Sequence, residues 1–206
     1  MTTTTLPAKL GFRDALREQR FDDHRFYHHS RMNQSLHLFS ACCFLTSYAL
    51  LPFDAATAVW IGWLAAWVSR QIGHFFFEPK GYDARNAMSH QEKEDVKIGY
   101  NLKRKLVLLA VFLAAPVVLY LSPDLFGLIR PWTATGGYLG DLSRLWLAVG
   151  IGALLLRTVQ LFFIRDVQTG VVWFTKILTD PFNDVRTYWK APWYLLRGEL
   201  IDPELG

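Results

Sequence analysis

Four long apolar stretches divide this chain, at Leu36 to Phe53, Ala55 to Phe77, Leu106 to Ser122 and Leu145 to Ile164. Each approaches the roughly 20 residues that a helix needs to cross a ~30 Å hydrocarbon core. Core helices of soluble proteins seldom run so long without a polar face. The expected fold is therefore all-α and polytopic: four transmembrane helices, arranged as two hairpins, within 206 residues. An apolar fraction of 51% would suit a soluble globule equally well, so the distribution of apolar residues, rather than their amount, carries this reading.

Positive charge sets the expected orientation. Lys9, Arg13, Arg17, Arg20, Arg25 and Arg31 precede the first stretch. Lys80, Arg85, Lys93, Lys97, Lys103, Arg104 and Lys105 separate the second from the third, and Arg165, Lys176, Arg186, Lys190 and Arg197 follow the fourth. The opposite connections hold only Arg130. Cytoplasmic segments carry the excess of Lys and Arg, which puts both termini and the middle loop in the cytoplasm. The net charge of +4 is thus accounted for by membrane topology, and nucleic acid is not expected as a partner. The first stretch follows a charged leader and does not read as a cleaved signal peptide. Cys42 and Cys43, adjacent within an apolar run, read as small packing groups rather than a disulfide.

The expected organisation is a single membrane-embedded domain, 1–206: an approach segment 1–33, a four-helix core 34–164 and a cytoplasmic tail 165–206. Ser30 is placed to N-cap a helix that runs through His37. Pro52 and Asp54 mark a tight turn, Glu78-Pro79-Lys80-Gly81 ends the second helix, and Ser89 with Glu92 has the form of a capping box opening a helix at His90. Pro116 is positioned to kink the third span. The tail carries Trp173, Phe174, Tyr188, Trp189, Trp193 and Tyr194 among charges, the composition of a segment lying along a membrane interface.

Six histidines occur, at 24, 28, 29, 37, 74 and 90, all on the expected cytoplasmic side. A lone histidine is usually a hydrogen-bonding residue, and His24 in the polar leader takes that reading. Ionisable groups near membrane depth are costly and tend to serve function, which sets the others apart. His29, Asn33 and His37 share a helical face, while His28 falls in the turn before Ser30 and can bend back toward it. Trp60, Trp63, Trp67, Gln71, His74 and Glu78 recur every three or four residues as one stripe, aromatic at one end and polar toward the cytoplasm. Several neutral imidazoles with a carboxylate suit iron(II), zinc or copper, and donor softness does not choose among them.

The segment Phe26-Tyr27-His28-His29-Ser30-Arg31-Met32-Asn33-Gln34-Ser35-Leu36-His37, with Gln71-Ile72-Gly73-His74-Phe75-Phe76-Phe77-Glu78, resembles the iron(II)-dependent 2-hydroxy fatty acid dioxygenases of fatty-acid α-oxidation. These two segments lie within the first third or so of the chain. The resemblance implies Fe(II) as cofactor, O2 and a 2-hydroxy fatty acid as substrates, and release of CO2 with the acid one carbon shorter. It implies His28, His37 and His74 as metal ligands, with Asn33 and Glu78 in support; His29 matches a variable position. His90 has no equivalent in the motifs and is added as a fourth ligand because its helix start faces the same end. The Pro-Ala usual after the glutamate is replaced here by Pro79-Lys80-Gly81-Tyr82. Lys80, Arg85 and Arg70 are the candidates to neutralise a substrate carboxylate. Two other classes are open: a di-iron lipid hydroxylase or desaturase, whose His-x-x-His-His clusters this chain lacks, and a non-catalytic lipid-binding scaffold. The expected location is a bacterial inner membrane, or the endoplasmic reticulum in a eukaryote, with membrane lipids as surroundings.

Overall fold

The computed structural model describes residues 10–78 and 80–203, so the charge at Lys9 and the helix stop at Pro79 lie outside the described residues. The described residues fold into helices with only two isolated bridges of extended backbone. In chain order these are α1 (Phe12–Tyr27), α2 (Arg31–Leu50), α3 (Ala55–Trp60), a π-helical segment (Ile61–Trp67), α4 (Val68–Phe76), α5 (His90–Val96), α6 (Leu102–Leu121), α7 (Thr135–Ile164), α8 (Val167–Tyr188) and α9 (Ala191–Leu196).

The helix boundaries follow local capping chemistry. Ser30 accepts from Asn33 N and opens α2, and Asp54 accepts from Thr57 N and opens α3. Ser89 and Glu92 form the reciprocal capping box at α5. That helix does not continue into the third apolar stretch. It stops at Val96, and Asn101 caps a fresh helix by accepting from Arg104 N at 3.1 Å. Pro116 lies inside α6, where its missing N–H orphans the carbonyl of Phe112 four residues back. Trp146 Nε1 supplies the replacement, donating to Phe112 O at 3.2 Å.

Two helices, Leu102–Leu121 and Gly136–Ile164, are long and apolar enough to cross a membrane. Only 22% and 17% of their most apolar windows are buried inside the protein, whereas the core helix of a soluble protein is mostly buried. Of the two other stretches read as spans, α2 is 20 residues long but less apolar, and the second is divided by its π-helical segment.

That segment also splits the expected stripe from Trp60 to Glu78. A π-helix breaks the 3.6-residue register, so the tryptophans and the polar residues meet different neighbours. Trp60 packs edge-on to Trp146, while Trp63 and Trp67 pack on Phe112, joining the π segment to α6 and α7. Trp63 Nε1 also donates to Trp146 O at 2.9 Å. Val59, Ala115, Leu119 and Leu142 complete this core. Beyond the π segment, α4 turns its polar residues toward α2. Ser40 Oγ donates to Ala66 O at 2.7 Å, so α2 satisfies a carbonyl within the irregular stretch.

The chain after Asp166 forms α8, a 22-residue helix packed on α2 and α7. Its buried face runs Trp173, Lys176, Asp180, Asp184 and Tyr188, and it delivers polar groups to the histidines. The residues past α9 then return to the start of α2. Arg31 N donates to Leu200 O, Asp202 N donates to His29 O, and Arg31 and Gln34 side chains both donate to Asp202 Oδ2 at 2.8 Å.

Candidate metal centre

Three elements converge on one point. His28 is the residue that ends α1, with its N–H bonded back to His24 O; His37 lies on the second turn of α2; His74 lies on the last turn of α4. Two α2 side chains hold the corner that carries His28: Asn33 Nδ2 donates to Tyr27 O and Gln34 Nε2 to His28 O, both at 2.8 Å. Asn33 is fully buried and supports the site in this way, by fixing backbone. Gly73 lets α4 approach α2. A Cβ there would stand 2.3 Å from Asn33 Oδ1 and 3.4 Å from His37 Cδ2.

The ring centroids of His28 and His37 are 4.1 Å apart, those of His37 and His74 4.9 Å, and those of His28 and His74 5.6 Å. One nitrogen from each ring lies within 4.8 Å of the others, and this is the one such group of three metal-type donors among the described residues. Each Nδ1 faces a different oxygen. That of His28 is 3.0 Å from Tyr188 Oη and that of His74 is 3.2 Å from Glu78 Oε2. That of His37 is 3.7 Å from Asp184 Oδ2, too long for a hydrogen bond but within electrostatic reach. Asp184 Oδ2 in turn accepts from Arg70 Nη2 at 3.0 Å. The Nε2 atoms of His28 and His37 are buried with no hydrogen-bond partner among the described residues.

This arrangement is costly as it stands. A buried polar atom left unpaired forfeits on the order of 1–3 kcal/mol. A cation bound at the Nε2 side would satisfy both orphans at once, while oxygens on the Nδ1 side hold the rings in orientation. Burial pushes the His28 imidazole well below its ordinary pKa, and the neighbouring His37 and His74 add to the effect, so His28 is neutral and its lone pair is free to coordinate. Burial, reinforced by the Asp184 carboxylate, pushes the Tyr188 phenol well above its ordinary value and keeps it a hydroxyl. Three neutral imidazoles fit iron(II), zinc or copper and leave coordination positions open to exogenous ligands.

The other residues read from sequence fall outside the triad. His29 is half-buried at the α1–α2 corner with its Nε2 unpartnered, and its carbonyl anchors Asp202. His90 is not in the group of three; its Nδ1 is buried without a partner and it lines a neighbouring cavity of about 130 Å³ with His74, Phe75, Glu78, Lys80, Glu94, Leu102 and Lys105. His24 is not the exposed bystander expected of the leader: its Nδ1 is 2.9 Å from the same Tyr188 hydroxyl that meets His28. Glu78 is tied by Oε1 to Lys97 Nζ at 3.3 Å, so both of its oxygens are engaged around His74. Arg85 is paired with Glu18 at the surface. Tyr188, Asp184 and Arg70's partnership with Asp184 were missed, although Asp180, Asp184 and Tyr188 recur at every fourth residue and could have marked a buried polar helix face.

A larger, open groove of about 450 Å³ lined by Trp189, Lys190, Trp193, Tyr194 and Arg197 shares no residue with the histidine group. Comparison with known protein families, curated proteins and solved structures returned no match to this chain.

Proposed function

We propose that this protein is a membrane-bound non-haem iron(II) dioxygenase that converts a 2-hydroxy fatty acid into the acid one carbon shorter, with release of CO2. The observation that carries the reading is the convergence of His28, His37 and His74, each with an oxygen facing Nδ1, two with buried, unpartnered Nε2 atoms. The resemblance of the segments around these three histidines to the 2-hydroxy fatty acid dioxygenases supplies the reaction. In this reading the four apolar stretches all cross the membrane, both termini and the site face the cytoplasm, and the surrounding lipid delivers the substrate.

The reaction balances without a further reductant: R–CH(OH)–COOH + O2 gives R–COOH + CO2 + H2O. The bond between the carboxyl carbon and the carbinol carbon breaks, the two carbons together give up four electrons, and O2 takes them, ending in the new carboxyl group and in water. Iron(II) supplies the one-electron chemistry that lets O2 react with a closed-shell substrate. The protein's own groups do the rest. His28, His37 and His74 would hold the metal through three nitrogens. Tyr188 and Glu78 hold the N–H tautomers that aim Nε2 inward. Asp184, neutralised by Arg70, places negative charge beside His37 without leaving an unpaired buried anion.

The test is anaerobic purification of the protein, loading with iron(II), and exposure to O2 with 2-hydroxy acids labelled at the carboxyl carbon. Labelled CO2 and the acid one carbon shorter are expected in equal amounts, dependent on iron. Iron bound without any shortened acid across a range of chain lengths would remove the proposed activity.

A further inference from the structure

We infer that the cavity of about 130 Å³ beside His74 seats the carboxylate head of an acidic amphiphile, and that Lys105 is the cation that recognises it. The inference rests on the reading of the triad as a site for a 2-hydroxy acid and adds where that acid is held. Four observations carry it.

The cavity is lined by His74 of the triad and by Glu78, which meets His74 Nδ1, so a head group seated in it lies against a ring that would hold the metal. Its volume is that of about four waters at roughly 30 Å³ each. A carboxylate with its neighbouring carbinol fits and a long acyl chain does not. Leu102, which lines it, is about half exposed on α6, and Leu106 one turn further is equally so, which gives the chain an apolar way out along a helix suited to lipid.

Charge is arranged for an anion. Lys97 already serves both glutamates of the lining, donating to Glu94 at 2.7 Å and Glu78 at 3.3 Å. Lys80 and Lys105 are additional, so three lysines face two carboxylates. Lys105 is nearly buried, yet its ammonium makes no hydrogen bond to the described residues, and its ion-pair partner Glu78 Oε2 stands 3.9 Å away, beyond hydrogen-bonding distance. An ammonium with three donors and no hydrogen bond is a strong partner for an incoming carboxylate. His90, whose Nδ1 is buried without a hydrogen-bond partner among the described residues, also lines the cavity. The remaining candidates are occupied elsewhere: Arg70 with Asp184, Arg85 with Glu18 and the Phe21 ring.

The experiment compares binding of 2-hydroxyhexadecanoic acid with that of its methyl ester, without O2, to full-length iron-loaded protein, read by tryptophan fluorescence. Wild-type protein should prefer the acid. Lys105→Gln should weaken the acid at least 10-fold and leave the ester unchanged, Lys105→Arg should recover most of the loss, and Arg85→Gln should change neither. Lys105→Ala, which leaves more room, should match Lys105→Gln. An unchanged preference for the acid in iron-replete Lys105→Gln and Lys105→Ala overturns the assignment, even if labelled CO2 is still released. Loss of that preference in both variants upholds the head-group seat, even where wild-type protein proves to release no CO2 and only the proposed activity falls.

Discussion

The hydroxyl of Tyr188 stands 3.0 Å from His28 Nδ1, joining residues 160 positions apart in sequence, and the same oxygen is 2.9 Å from His24 Nδ1. A phenol has one proton to give and can accept another. His28 Nδ1–H donating to the hydroxyl, and the hydroxyl donating to His24, leaves the lone pair of His28 on Nε2, which has no hydrogen-bond partner among the described residues.

Tyr188→Phe should therefore keep the fold and weaken metal binding by roughly 10- to 100-fold, the usual effect of removing a partner that orients a ligand. His24→Ala should cost much less, because the bond between Tyr188 and His28 survives it. Metal titration of the purified variants measures both; equal losses would show that His24 is part of the ligand set.

Glu78 engages His74 through one oxygen and Lys97 through the other. Glu78→Gln should keep the metal bound at somewhat lower affinity and slow turnover, because the amide oxygen can still accept from His74 while the NH2 group cannot accept from Lys97 and the charge is lost. Complete loss of metal in this variant, measured by elemental analysis, would make Glu78 a ligand.

At Gly73 α4 lies close against α2. Gly73→Ala puts a methyl 2.3 Å from Asn33 Oδ1, and Asn33 is fully buried and tied to Tyr27 O. Overpacking of this kind costs about 1–3 kcal/mol. The thermal midpoint should fall and metal affinity should fall with it, since Asn33 holds the corner that carries His28. A stable variant with normal metal content would show that the two helices can separate without harm.

The three histidines that converge were legible in sequence, with Asn33 and Glu78 beside them, and the α8 groups around them were not. His28, His37 and His74 sit in short segments whose helix starts, Ser30 above all, announce themselves through local capping. The π-helical stretch was invisible because Trp60, Trp63 and Trp67 fit an ordinary helical repeat; only the packing against Phe112 and Trp146 reveals the change in register. The tail hid its part in the site for a different reason. Aromatic and charged residues mixed along a helix describe a membrane interface and a helix that buries its polar face equally well, and Asp184 and Tyr188 become site residues only through contacts with Arg70 and His28 far away in the chain.

Asp83 anchors the segment between α4 and α5 to α1. Its carboxylate accepts from Arg25 at 2.8 Å and 2.9 Å, from Asn86 at 2.8 Å, and from Lys93. Arg25 first, then Lys93 and Asn86, hold its carboxyl far below the usual range despite its burial. The unfolded chain therefore takes up this proton before the folded one does. The stability it confers is complete above about pH 4 and is lost as pH falls through the lower folded value. Asp83→Asn at pH 7 should cost on the order of 3 kcal/mol, because Arg25 and Lys93 keep only Asp22 as counter-ion. Limited proteolysis between residues 80 and 89 should be as slow at pH 5 as at pH 7 in the wild type and faster in the variant at both. Acceleration in the wild type already at pH 5 would contradict the depressed value.

The central claim, that His28, His37 and His74 hold one metal ion, is tested most directly by metal content per chain after anaerobic purification. Wild-type protein should carry about one iron, and His74→Ala close to none while remaining folded, as read by its helical circular dichroism. Stoichiometric iron retained in His74→Ala, or two irons per wild-type chain, would contradict it.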